Sequence, residues 1–291
     1  MASRVMVTGA AGGLGQEVCK ALVAAGHEVL ALDRVYRRDM PVRLELVDLL
    51  DGASVYRYAE GCQAVVHLAN YPGVRRGMPP QQTYRENVAT DINVFQAAVD
   101  VGVKRLVFAS SIQAMSGDRH GDPAKKPSCL AYLPIDGDAP ACPRNLYALG
   151  KVTGEMQLRY YAAMDDRLSC TAIRYPYLMT QGTLEWIRNH PRDSDDHWGN
   201  PDEGFAYLYM ADAASLVAAI LDKQDVGYHQ ILPAAPDNTV GKPPRELLEK
   251  FYPNVPLKVP IDNLTSLVDI SAITQRLGWS PKTVNVFVLN R

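Results

Sequence analysis

Thr8-Gly9-Ala10-Ala11-Gly12-Gly13-Leu14-Gly15 sits between an apolar run, Val5-Met-Val-Thr8, and an amphipathic stretch over about 14–25. That order reads as strand, turn, helix. Gly9 permits the tight turn, Gly12 lets the backbone come close to a ligand, and Gly15 lets the helix pack on the strand. The helix start then offers unpaired N–H groups and a positive dipole end to an anion. A second apolar run, Glu28-Val-Leu-Ala-Leu-Asp33, ends on an acid 18 residues past Gly15, where a carboxylate accepts both hydroxyls of an adenosine ribose. No Gly-x-x-x-x-Gly-Lys-Ser/Thr segment is present, so the loop is not that of a nucleoside triphosphatase. The turn therefore predicts dinucleotide binding. Asp33 would repel a 2′-phosphate and favours NAD. Arg34, Arg37 and Arg38 follow at once and leave NADP open, unless they are simply a solvated loop.

Working outward, the same alternation continues. Ala64-Val-Val-His-Leu-Ala69 and Arg105-Leu-Val-Phe-Ala-Ser110 are strand-like, with helical patterns at about 84–101 and 147–163 and another strand at Cys170-Thr-Ala-Ile-Arg174. Short, nearly continuous apolar strands suit a parallel sheet buried on both faces, and this order predicts a doubly wound α/β (Rossmann) fold. The expected organisation is a dinucleotide-binding domain over 1–176, with a returning segment near 205–232. A smaller substrate-binding lobe would take most of 177–291. The Gly- and Pro-rich stretch from Ser116 to Arg144 reads as a long functional loop.

Composition removes several classes of function. The 291 residues carry 30 basic and 32 acidic side chains, a net charge of −2, which argues against nucleic acid as the main partner. The longest apolar stretches, such as 215–221, fall far short of the roughly 20 residues a membrane span needs. The amino terminus lacks the pattern of a secretory signal. Five scattered cysteines without a Cys-x-x-Cys pair suit reduced thiols, so a cytoplasmic location and no metal site are expected.

Tyr147-Ala-Leu-Gly-Lys151 places a phenol and an ammonium four residues apart, on one helix face. A free tyrosine loses its proton near pH 10, and a neighbouring cation favours the phenolate. Ser110 and Ser111 end a strand of the same sheet at its carboxyl edge, where such folds collect ligands. Gln113, polar beside Ser111, is expected to touch substrate. Arg174 is either a clamp for a substrate anion, a guanidinium being able to hold a carboxylate with two parallel bonds, or the partner of a nearby carboxylate of the protein itself.

Thr8–Gly15, Asp48-Leu49, His67-Leu-Ala69, Asn87-Val-Ala-Thr-Asp-Ile-Asn-Val94, the 102–111 strand, Tyr147–Lys151 and Leu277-Gly-Trp-Ser-Pro281 together resemble the extended short-chain dehydrogenase/reductases. This group includes the NAD-dependent epimerase/dehydratase family. The resemblance implies that Gly9, Gly12, Gly13 and Leu14 contact the pyrophosphate, with Asp33 and Arg34 at the adenosine ribose and Asp48 and Leu49 beside adenine. It places Leu68, Ala69 and Asn70 on the path to the nicotinamide, with Asn87 behind them and Ser110 and Pro176 at the cofactor. Ser111, Tyr147 and Lys151 would form the catalytic triad, Lys151 also holding the nicotinamide ribose. Two departures narrow the activity. Ile112-Gln113 stands where the dehydratases of this group carry an Asp-Glu pair, and Ala114-Met115-Ser116 where many nucleotide-sugar epimerases carry Val-Tyr-Gly. The expected function is an NAD-dependent oxidoreductase oxidising a secondary hydroxyl of a sugar or sugar-acid-like substrate. A sugar epimerase with transient oxidation is the alternative, and a non-catalytic cofactor-binding sensor a third reading. The resemblance also implies a homodimer built on the 84–101 and 147–163 helices.

Overall fold

The computed structural model describes residues 2–72, 77–116, 129–189, 200–223 and 225–287. In chain order the elements are β1 (Arg4–Thr8), α1 (Gly13–Ala24), β2 (Glu28–Asp33), β3 (Leu44–Leu46), α2 (Gly52–Ala59), β4 (Ala64–His67), α3 (Pro80–Asp100), β5 (Arg105–Ser111) and α4 (Gln113–Ser116). They continue with α5 (Leu146–Met164), β6 (Ser169–Tyr175), β7 (Tyr177–Met179), α6 (Gln181–Asn189), β8 (Tyr207–Tyr209), α7 (Met210–Asp222), β9 (Gly227–Ile231), α8 (Pro244–Phe251) and α9 (Ser271–Leu277).

The main sheet has the order β3-β2-β1-β4-β5-β6-β9. β1 pairs in parallel with both β2 and β4, with Val5 opposite Val29 on one side and Ala64 on the other. Val5, Met6 and Val7 are fully buried, which is why their sequence is an unbroken apolar run and not an alternation. The chain leaves β1 toward β2 and β3, then returns to β4 on the opposite side. The carboxyl ends of β1 and β4 therefore flank the topological switch point, where doubly wound sheets bind ligands.

The expected elements are present, with shifted edges. α3 starts at Pro80, earlier than the apolar periodicity suggested; a proline in the first turn has no N–H to lose. β3 and α4, three and four residues long, were too short for any periodicity to show.

The chain divides into two compact units, one of residues 1–110, 146–173 and 214–230, the other of 111–145, 174–213 and 231–291. In the first, Met6, Leu32, Val65, Phe95, Phe108 and Leu158 form part of one apolar core. In the second, Leu130, Leu133 and Ile135 pack with Phe205, Leu247, Tyr252 and Leu267. Leu133 and Ile135 also bridge to Leu257 and Val268 as isolated parallel pairs. The stretch read as a loop of the first domain thus contributes apolar side chains to the core of the second unit. Its 117–128 portion lies outside the described residues.

Candidate active site

In the first unit, the glycine turn is fixed by close approach. Gly9 has φ +69°, and a Cβ there would lie 2.8 Å from the Ala69 nitrogen and the Leu68 carbonyl carbon, at the end of β4. A Cβ on Gly15 would lie 2.2 Å from the Gly9 oxygen. The Gly12 N–H donates to that same oxygen (3.1 Å), closing the turn. Gly12 caps α1 with no side-chain hydrogen bond, so no side chain of its own covers the first N–H groups of this 12-residue helix. Gly12 and Gly13 are exposed and Leu14 is half-buried.

Asp33 ends β2 against this turn. Its Oδ2 accepts from the Ala11 N–H (3.0 Å) and its Oδ1 from the Val35 N–H (3.0 Å). The Arg34 guanidinium lies over the Tyr71 ring at 4.7 Å, and Arg37 donates to the Ala11 carbonyl (3.3 Å). Tyr71 is held in turn: its hydroxyl donates to Glu86 (2.9 Å), while its N–H and carbonyl pair with the Asn87 side chain at 2.9 and 3.2 Å. Hydrogen bonds from Gln82 and Tyr71 hold the Glu86 carboxyl below its usual range. Asp48 is exposed and accepts from the Leu50 N–H (3.0 Å), whereas Leu49 is buried and its carbonyl takes the Asn93 amide (2.9 Å). An uncapped helix start, a cradle only glycine can form and an acid beside it fit the pyrophosphate and ribose of a dinucleotide.

Tyr147 and Lys151 lie on α5, with the Lys151 Nζ 5.8 Å from the Tyr147 ring centre. Lys151 is buried. Its ammonium donates to Asn70 Oδ1 (2.6 Å) and the Ala109 carbonyl (2.5 Å), and lies 4.7 Å from the Phe108 ring centre. Burial drives its pKa from 10.5 down to about 8, against the attraction of Asp91 and Glu155. Ser110, also buried, donates to Glu155 (2.6 Å). Thr8, His67 and Asp91 line up behind Asn70: Thr8 Oγ1 is 2.6 Å from His67 Nδ1, and His67 Nε2 is 2.9 Å from Asp91 Oδ1.

The second unit begins at Ser111, whose Oγ accepts from the Gln113 N–H (3.2 Å). Ile112 N–H donates to the Tyr175 carbonyl (2.9 Å), next to buried Pro176, and Gln113 Oε1 accepts from the Asn145 amide (3.3 Å). Arg174 was expected to face a substrate anion. It is 2% exposed, with Nη1 donating to the Ala139 carbonyl (2.5 Å) and lying 3.4 Å from that of Gly137. Its guanidinium is turned to the backbone of the 137–139 loop and is not an open clamp.

Sequence reasoning missed Asp91 and Glu155. The signal available was spacing alone, an acid four residues after Asn87 and another four after Lys151, and spacing does not reveal burial. Among the described residues no helix is long and apolar enough to cross a membrane.

A family model for the NAD-dependent epimerase/dehydratases matches residues 5–232. An NAD-dependent glucose-6-phosphate dehydrogenase of Haloferax volcanii is 32% identical over 169 residues, 54% of this chain and 62% of that protein. A UDP-glucose 4-epimerase of Corynebacterium glutamicum is 25% identical over 313 residues, 96% of this chain and 91% of that protein. Several curated relatives are matched over little more than half of their own length. Among solved structures, a UDP-glucose 4-epimerase from Bifidobacterium longum with NAD+ and UDP shares the fold, with a TM-score of 0.72 at 18% identity over 98% of this chain and 96% of that one. The continuous match from β1 through β9, on a sheet whose switch point carries this glycine turn, places the chain in the NAD-dependent epimerase/dehydratase family.

Proposed function

We propose that this protein is an NAD-dependent oxidoreductase that oxidises a secondary hydroxyl of a sugar or sugar-acid-like substrate, with Tyr147 as the acid/base. The observation that carries the reading is the pairing on α5 of Tyr147 with a buried, hydrogen-bonded ammonium 5.8 Å from its ring. The N–H groups at Gly12, Gly13 and Leu14, with Gly9 making the turn, would hold the pyrophosphate, and Asp33 the adenosine ribose. Asp48, Leu49, Leu68, Ala69, Asn70, Ser110 and Pro176 would border the rest of the cofactor. Asn87 would act through the Tyr71 backbone it fixes.

NAD supplies the hydride acceptor when bound. Tyr147, as phenolate, takes the proton of the substrate hydroxyl, and the Lys151 cation stabilises that phenolate. Among the described residues two of the three ammonium hydrogens go to Asn70 and Ala109, and the third would serve the nicotinamide ribose. Ser111 would position the reacting oxygen and Gln113 would contact the substrate, with Arg174 serving by fixing the 137–139 loop. The position of Asp33 favours NAD. Arg34 on Tyr71 and Arg37 on the Ala11 carbonyl are engaged in the turn's own architecture.

A second reading, sugar epimerisation by transient oxidation, is supported by the nearly full-length likeness to the C. glutamicum epimerase. A panel of sugars, sugar acids and nucleotide sugars separates the two. A dehydrogenase accumulates reduced-cofactor absorbance, whereas an epimerase yields the isomer without net reduction. Tyr147→Phe is expected to abolish turnover while leaving NAD affinity within a few-fold; a fully active variant would refute the assignment. The proposal includes a homodimer and a cytoplasmic setting, which suits five free cysteines.

A further inference from the structure

We propose that Asp91 is the buried counter-ion of Lys151, acting through the side-chain amide of Asn70, and is thereby a positioning residue for the proposed acid/base chemistry. This rests on the reading of Tyr147 and Lys151 given above.

Asp91 is fully buried in the middle of α3. Its Oδ1 accepts from Asn70 Nδ2 (2.8 Å) and pairs with His67 Nε2 (2.9 Å). Its Oδ2, equally buried, has no hydrogen-bond partner among the described residues. A carboxylate placed only for structure would be expected to have both oxygens satisfied, since an unpaired buried acceptor costs stability. Here one oxygen lies buried and unpartnered among the described residues, against Phe108 and α5. Phe108 and the α5 backbone at Gly154 come so close that a Cβ on that glycine would sit 2.9 Å from Oδ2 and 2.6 Å from the Phe108 ring.

Asn70 fixes the direction of the coupling. Its Nδ2 donates to Asp91 and to the Ala69 carbonyl (2.8 Å), so its Oδ1 is turned to Lys151 Nζ at 2.6 Å. The amide dipole thus lies with its positive end on the carboxylate and its negative end on the ammonium. Both contacts strengthen when both ends are charged, because hydrogen bonds to charged groups are the stronger ones. Behind Asp91, the pattern is satisfied when the His67 proton is on Nε2. The Thr8 hydroxyl then donates to Nδ1 while its oxygen accepts the Leu68 N–H (3.3 Å).

Among the described residues, the charged and titratable groups around Lys151 are Asp91 from α3, Glu155 and Tyr147 from α5 itself, and His67 from β4 beyond Asp91. Glu155 takes the Ser110 hydroxyl at 2.6 Å. Burial disfavours the Lys151 cation and brings its pKa to about 8, with Asp91 the larger of the two opposing attractions and Glu155 the smaller. Removing the Asp91 charge must lower it further, so that a larger share of the amine is uncharged at neutral pH and Tyr147 loses part of its cation.

The test follows the Lys151 side chain in the free protein by NMR of lysine carbon-13 labelled at Cε, the resonance being assigned with Lys151→Met. The native midpoint should lie near 8, and Asp91→Asn should lower it by about one pH unit, a tenfold shift in protonation at fixed pH. Should Asp91→Asn fail to fold, Asp91→Thr, close in volume and also uncharged, is expected to give the same shift. Thr8→Val, which loosens the far end of the chain but keeps its charges, should leave the midpoint in place. If both Asp91 variants that fold titrate like the native protein, or if Thr8→Val shifts the midpoint as much as they do, the counter-ion role is overturned. With a substrate from the panel, the high-pH limb of kcat should move down by the same amount in Asp91→Asn, with KM for NAD unchanged; an unmoved limb also overturns it. The titration needs no turnover. An unmoved midpoint therefore sinks this inference alone, whereas turnover by Tyr147→Phe sinks the reading beneath it.

Discussion

At Gly9 two constraints coincide. Its φ of +69° lies where side chains are strained, and its α-carbon passes so near the end of β4 that an added methyl has no room, with backbone atoms as neighbours at 2.8 Å. Gly9→Ala is expected to destabilise the fold by about 1–3 kcal/mol. Urea unfolding measures that loss, and NAD titration should show weaker binding from the same displaced turn. Unchanged unfolding and binding would mean the turn tolerates what its geometry forbids. This residue was legible in the sequence because the glycine spacing carries a backbone requirement. Asp91 was not. An aspartate in a 21-residue helix looks like any solvated acid until the fold puts it at zero exposure behind His67 and Asn70. Arg174 misled in the opposite way: its residue type suggested a ligand, but three-dimensional packing gave it the carbonyls of the 137–139 loop.

Between elements, the position of Lys151 depends on how closely α5 approaches β5 and α3. Gly154, one turn beyond the lysine, makes that approach possible. The Phe108 ring it meets cannot readily yield, being edge-packed on Phe95 at 5.5 Å and stacked on His67 at 5.9 Å. Gly154→Ala is therefore expected to cost about 1–3 kcal/mol by overpacking and to lower kcat through a displaced Lys151. Thermal unfolding and steady-state kinetics read the two effects. A gain in stability from the better helix propensity of alanine would show that the elements part without cost. The strands and long helices were legible as apolar runs and periodic stripes. Their mutual distance was not, because a one-atom side chain gives no periodic signal.

For the molecule as a whole, the sequence placed the first boundary near 176, while the chain divides between Ser110 and Ser111 and re-enters the first unit at Leu146. Apolar residues of the 129–139 stretch join the second unit's core, and no local pattern announced which core they would join. The first unit also bears an apolar stripe on α5, where Leu149, Met156, Tyr160 and Met164 are 39–69% exposed, and on α3 Ile92 is 38% exposed. These residues recur at helical spacing on one face, which supports the proposed homodimer. Met156→Glu is expected to convert the dimer to monomer, as read by sedimentation equilibrium. A native protein that sediments as a monomer would remove the proposal.

By itself the sequence determined the sheet, its glycine turn, the acid at the end of β2 and the Tyr147–Lys151 pair. Each of these is a local pattern: a period, a turn requirement or a spacing along one helix. Only the tertiary structure decided which acids are buried, which amide joins Asp91 to Lys151, and which unit claims residues 111–145. Those outcomes depend on dielectric and distance between segments far apart in the chain, and neither quantity is written in the order of neighbouring residues.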